Sequence, residues 1–384
     1  MKKAKEKNNA IEFWRFLFTI VIVASHINRN YRGVEGLTTI FGGAGNVLVI
    51  FLVLSGYFLM RSYQSSKERG ETKNVTPAKQ AAKYLGKRIK RLYPLLLLGI
   101  FTCFVARNIF VLHNPISTWP HLFVSSILEM SGIVITGIGM SEPDLWFPAG
   151  WYISVLIVCG YLVYYMVAKD EDKFKAFTGP LIVFLVYGYW FMSGVGGAWF
   201  NMALNNLVCN GLLRGLAGIS LGVVLYEPIQ GLKKIEFGSF GKFMLTVFNA
   251  CVIAYVCWAV YSNDANYATG YISGKPGTNT TLYIISFAII ILTIIAMMKK
   301  DYISKALDNP VSSFLGKNSI YMYIAHRAWA FCLPVVFPDA PYYSMMIVIC
   351  ILTFVTGLFF MLLDDYLFQP GIEKLIAGYK KRTE

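Results

Sequence analysis

Arg15 and His26 stand eleven residues apart inside the first apolar stretch, residues 11–27. On a helix that spacing is about three turns, so both side chains share one face about 16 Å apart along the axis. Ionisable groups in such a stretch are costly in lipid and mark a protein interior or a wet cavity. A histidine near its ordinary pKa of about 6.5 can take up or release a proton near neutral pH. Glu12, three residues before Arg15, can pair with it across one turn. His26 has two readings, an interhelical hydrogen bond or a reactive site. Ser25 and Asn28 beside it favour a polar site.

Arg88 and Arg91 form a second constellation, one turn apart. Their guanidinium groups can converge on one anion, and the planar fork suits phosphate. Anchoring to anionic lipid heads is the other reading, and it accounts well for Lys79, Lys83 and Lys87. Ser55-Gly56 combines a hydroxyl able to bond across helices with a residue that permits close approach. Arg214 precedes glycines at 218 and 222, a small-residue spacing for tight packing beside a buried cation. His326 and Arg327 lie among Tyr321, Tyr323 and Trp329, and fit either a packed seam or a site. Arg15, Arg214 and Arg327 are cations within or at the edge of apolar stretches.

The elements that must carry these residues are membrane helices. Hydrophobic residues make up 56% of the 384 positions, and mean hydropathy is +0.53, well above a soluble globular chain. Spans are expected near 11–28, 40–60, 91–112, 150–168, 179–193, 207–226, 243–261, 281–298, 318–337 and 342–363. The first could pass for a signal peptide. It lacks a small-residue cleavage site and carries polar residues within the apolar run, so a retained span is expected. The net charge of +14 is distributed as short basic loops rather than as a nucleic-acid-binding face. Residues 61–91 hold ten Lys or Arg against Glu68 and Glu71, and further clusters fall at 233–242, 299–305 and 374–382. Ten spans with both termini cytoplasmic put every such cluster inside. The stretch 121–140 is long enough to span, but counting it would export basic loops, so an external interfacial segment is expected. The seven cysteines lack Cys-x-x-Cys spacing and read as small buried hydrophobes, and no metal site is expected.

Taken in order, these pieces resemble the membrane acyltransferase-3 family, integral-membrane O-acyltransferases of bacterial envelopes and their eukaryotic relatives. The resemblance runs from about 11 to 366. It comprises Arg15 and His26, Leu-Ser-Gly-Tyr at 54–57, and Arg88 and Arg91 followed by Leu-Tyr-Pro. Trp-Tyr-Ile-Ser at 151–154 and Gly-Lys-Asn-Ser-Ile-Tyr-Met-Tyr-Ile-Ala-His at 316–326 complete it. Two positions depart from the family pattern. Glu12 stands where many members have Asp, and Val49 where many have an acid.

The resemblance implies an all-α, polytopic helix bundle of about ten spans in the cell membrane, with a core over 1–366 and a short basic cytoplasmic tail over 367–384. No appended esterase domain is expected. It implies transfer of an acyl group, most often acetyl, from cytoplasmic acyl-coenzyme A to a hydroxyl of an envelope or exported carbohydrate. His26 and Arg15 would be catalytic, and Arg88 and Arg91 would hold the coenzyme A phosphates. Glu12, Ser55, Tyr152, Arg214, His326 and Arg327 would support them. Trp119, Trp146 and Tyr152 could stack on sugar rings, although interfacial belts explain such aromatics equally. The expected partners are acyl-CoA, a carbohydrate acceptor and membrane lipids, without nucleic acid. The rival class is a transporter or flippase of envelope precursors. Its support would be inverted repeats with interrupted helices, and the sequence shows none.

Overall fold

Each of the ten apolar stretches falls on a helix. The computed structural model describes residues 8–27, 41, 44–134, 145–193, 202–203, 208–262 and 280–383. Asn28, the outward-loop residues Arg29, Arg32 and Lys275, and the basic N-terminus at 1–7 lie outside these.

The first helix, α1 (Asn9–Ile27), starts where Asn8 Oδ1 accepts the Ile11 amide at 3.3 Å and Asp308 Oδ1 accepts the Asn9 amide at 2.8 Å. Asn8 Nδ2 in turn donates to the Ala296 and Met297 carbonyls. After α2 (Ala44–Glu68), Thr76 caps α3 (Pro77–Phe110), and Pro77 sits in the first turn, where a missing N–H leaves nothing unpaired. With 34 residues, α3 is longer than a bilayer requires, so its basic first half extends the helix beyond the apolar run.

The stretch 121–140 holds two short helices, α4 (Trp119–Val124) and α5 (Ser126–Met130), of 6 and 5 residues. Neither is long enough to cross a membrane; residues 135–140 lie outside the described part. Next come α6 (Trp151–Lys169), α7 (Gly179–Ser193), α8 (Asn210–Val224), a short α9 (Tyr226–Lys234) and α10 (Ser239–Ser262). A two-residue antiparallel pair, Met202–Ala203 with Val208–Cys209, is a small departure from an all-helical chain. The remainder is α11 (Thr280–Met298), α12 (Tyr302–Leu307), α13 (Pro310–Val336), α14 (Tyr342–Leu363) and α15 (Gln369–Thr383). The tail expected over 367–384 is therefore largely helical. It is joined to α14 by one widened turn, Asp364–Phe368.

Among the described residues, seven helices are long and apolar enough to span a membrane, and the molecule is an α-helical membrane bundle. Its centre is α13, which lies along α1, α14 and α3, while α2 crosses α8 and α3 packs on α6. Gly56 and Gly222 set the α2–α8 crossing. A Cβ on Gly56 would overlap the Ile219 carbonyl oxygen, and one on Gly222 the Val53 carbonyl oxygen. Gly316 does the same for α13 against α1, since a Cβ there would overlap Glu12. All seven cysteines are free. Four of them, Cys103, Cys159, Cys209 and Cys332, are buried as expected, whereas Cys251 and Cys257 are exposed on α10.

Candidate functional site

The helices α1, α2, α3, α6 and α13 enclose a cavity of about 590 Å³. Its two ends differ in chemistry. One wall carries Arg15, Lys87, Arg88, Arg91 and Lys317; the opposite end is made by Ile22, Phe51, Tyr152 and Tyr323. Among the described residues Glu12 is the one carboxylate lining it. Arg15 Nη1 donates to Glu12 Oε2 at 2.8 Å, as the spacing predicts, and Lys317 pairs with Asp365 at 2.5 Å. The Arg88 guanidinium lies 5.3 Å from the centre of the Tyr84 ring, which stacks on Tyr164. Among the described residues Lys87, Arg88 and Arg91 make no ion pair. Three uncompensated cations at one mouth create a positive field that draws in polyanions.

The inner end is a cluster of hydroxyls tied to carbonyls. Ser55 Oγ donates to the Phe51 carbonyl at 2.7 Å, and Tyr152 Oη donates to the same oxygen at 3.3 Å. Tyr323 Oη donates to the Ala149 carbonyl at 2.8 Å, with its ring centre 5.7 Å from that of Tyr152. Tyr152 and Tyr323 thus form the inner wall.

His26 and His326 stand together one turn beyond that wall, their ring centres 4.9 Å apart in an edge-to-face arrangement. His26 Nδ1 is 2.7 Å from the carbonyl oxygen of Ile22, and His326 Nδ1 is 2.6 Å from that of Tyr323. A carbonyl oxygen only accepts, so each Nδ1 is the protonated donor, and in the neutral ring the lone pair is on Nε2. The cavity lining thus contributes two carbonyls that fix the tautomers of two histidines behind it.

The site residues expected from the sequence fall into three places. Glu12, Arg15, Ser55, Arg88, Arg91 and Tyr152 line the cavity. His26 and His326 pair behind it. Arg327 follows His326 but lies over the Phe331 ring at 5.1 Å. Arg214 belongs to neither group, since it donates to the Gly45 carbonyl at the start of α2. Arg15 lines the cavity with the cationic wall, at the helical spacing of about 16 Å from His26 that the sequence gives.

Two of the aromatics offered for sugar stacking are engaged within the protein. Trp119 and Trp146 pack edge-on against Phe104, and their indole N–H groups donate to the Asn114 carbonyl and Ser125 Oγ. They tie the segment around residues 114–125 to α3. Glu129, which the sequence did not single out, accepts the Trp146 and Phe147 amides at 2.5 and 2.9 Å and thereby fixes the chain entering α6. Burial raises its carboxyl pKa, and those two amides offset part of the rise. Tyr323 and Lys317 were also missed as lining residues, although both sit inside the 316–326 motif. The motif gives residue types, and only the packing of α13 on α1 shows which face they occupy.

The profile of the acyltransferase-3 family, described as an acyltransferase domain, matches residues 8–364. No curated protein and no solved structure matches the chain.

Proposed function

The chain is a member of the acyltransferase-3 family, and from that premise we propose that this membrane acyltransferase moves an acetyl group from cytoplasmic acetyl-coenzyme A to a sugar hydroxyl outside the membrane. The acceptor belongs to an envelope or exported carbohydrate. The protein lies in the cytoplasmic membrane with ten spans and both termini inside.

The observation that carries this reading is the cavity with unpaired Lys87, Arg88 and Arg91 at one end and a histidine pair behind the other. The donor's phosphates meet the basic mouth, where arginine forks and a lysine point charge complement them. Its pantetheine arm follows the cavity, and the thioester arrives at the Tyr152–Tyr323 wall. His26 presents one lone pair, at Nε2, either to take the hydroxyl proton or to receive the acyl group. Oxygen becomes bonded to the acyl carbon, the carbon–sulfur bond breaks, and the thiolate leaves with the proton. Arg327, next to His326 in the chain, is the arginine best placed to stabilise developing oxyanion charge. Arg15 and Glu12 shape the cationic wall.

Calorimetric titration of purified protein with acetyl-coenzyme A tests the assignment. Each lost charge-assisted contact is worth about 1.5–3 kcal/mol, so Arg88→Ala or Arg91→Ala should weaken binding roughly 10- to 150-fold. Unchanged affinity would return both residues to lipid anchoring. His26→Ala should bind the donor normally and release no coenzyme A. A carrier would release none in the wild type either.

A further inference from the structure

The reading above uses His26 and leaves its neighbour without a task. His326 is fully buried, at 0% exposure, yet its Nε2 has no hydrogen-bond partner among the described residues. Its Nδ1 proton is engaged by the Tyr323 carbonyl at 2.6 Å, so the tautomer is fixed and Nε2 carries a lone pair with no donor. Buried polar atoms are almost always satisfied, and an orphaned one calls for an explanation, a catalytic role among them. The ring stands edge-to-face with His26 at 4.9 Å.

Chemistry supplies the reason for two imidazoles. If the acyl carbon bonds to His26 Nε2, that ring has no lone pair left, because its Nδ1 proton is held by the Ile22 carbonyl. A separate base must then activate the acceptor. The Tyr323 hydroxyl is a hydrogen-bond donor to the Ala149 carbonyl, and an arginine such as Arg327 cannot accept a proton. His326 Nε2 can.

We propose that His326 is a second catalytic residue, the base that takes the proton of the acceptor hydroxyl while His26 carries the acyl group. This rests on the acyltransferase reading of the same site. In the first step the His26 Nε2–carbon bond forms, the carbon–sulfur bond breaks, and thiolate leaves with the electron pair. In the second the hydroxyl oxygen bonds to the acyl carbon and the carbon–nitrogen bond breaks, returning its pair to His26. The hydroxyl proton passes to His326 Nε2 and then to the thiolate. One thioester and one alcohol become one ester and one thiol.

Water serves as the probe acceptor, with radiolabelled acetyl-coenzyme A and full-length protein in detergent. His326→Asn keeps an amide N–H for the Tyr323 carbonyl but cannot take a proton. It should release one equivalent of coenzyme A in a burst and retain one equivalent of label on the protein. Steady hydrolysis should then fall by about 100-fold or more, the usual scale of general base catalysis. Hydroxylamine, which needs no base, should restore turnover. His26→Asn should give neither burst nor label. His326→Gln, with its amide nearer the Nε2 position, should repeat the result, and elution and melting behaviour report whether each variant is folded. Hydrolysis by folded His326→Asn within a few-fold of wild type, or loss of the burst together with turnover, would overturn the proposal. Wild-type protein inert toward acetyl-coenzyme A would overturn the acyltransferase reading itself, and this assignment with it.

Discussion

Tyr323 separates the two halves of the site. Its ring closes the cavity beside Tyr152, its hydroxyl ties α13 to the Ala149 carbonyl before α6, and its own carbonyl holds His326. Tyr323→Phe removes one hydrogen bond and leaves a partly buried acceptor unmatched. It should cost about 1–3 kcal/mol of stability, read as a lower melting temperature, while donor affinity stays within a few-fold of wild type. A large loss of affinity with unchanged melting would mean that the hydroxyl contacts the donor directly. Gly316 makes the opposite case, a residue that acts by having no side chain. Because its Cβ would overlap Glu12, Gly316→Ala must push α1 away from α13. Overpacking of this kind costs about 1–3 kcal/mol, and here it also shifts the Glu12–Arg15 pair. Thermal melting and donor titration together check it: both should worsen, and a variant as stable as wild type would show that the crossing is loose.

At the level of elements, the apolar runs were legible because a lipid-facing helix declares itself by length and hydropathy alone. All ten stretches fall on helices, and the Glu12–Arg15 pair follows from helical spacing. Facing was not legible. Arg214 and Arg15 are both cations in apolar stretches, yet one bonds to Gly45 and the other lines the cavity, a difference made by which helix packs alongside. The start of α1 was equally hidden, because its cap comes from Asp308, far along the chain. Burial alone would raise the Asp308 pKa. Hydrogen bonds from Lys299 and the Asn9 amide outweigh burial and hold it below the ordinary carboxylate value. A depressed folded-state pKa gives stability that is present above the unfolded value of about 3.9 and lost as pH falls through the lower folded one. Asp308→Asn should therefore melt lower at neutral pH, and the gap to wild type should close as pH drops below about 4. Hydrogen exchange at residues 9–12 should quicken in the variant. Equal melting at neutral pH would show that Asn8 alone suffices as the cap.

At the scale of the whole molecule, the positive-inside pattern and the short α4 and α5 make one joint statement about topology. Ten spans put residues 73 and 239 inside and residues 117 and 339 outside. If the stretch 121–140 crossed as an eleventh span, 117 would stay outside while 239 and 339 exchanged sides. The exposed positions Lys73, Ser117, Ser239 and Asp339 can each be changed to cysteine in a chain whose seven native cysteines are replaced. A membrane-impermeant maleimide should then label Ser117→Cys and Asp339→Cys on intact cells, and Lys73→Cys and Ser239→Cys only in inverted vesicles. Labelling of Ser239→Cys from outside would demand the eleventh crossing. It would also leave the basic mouth of the cavity at Arg88 and Arg91 inside while moving α13 and His326 into the opposite orientation. The packing of α13 along α1 and α3 fixes the relative direction of all three helices, so that result would contradict the fold as well as the charge pattern.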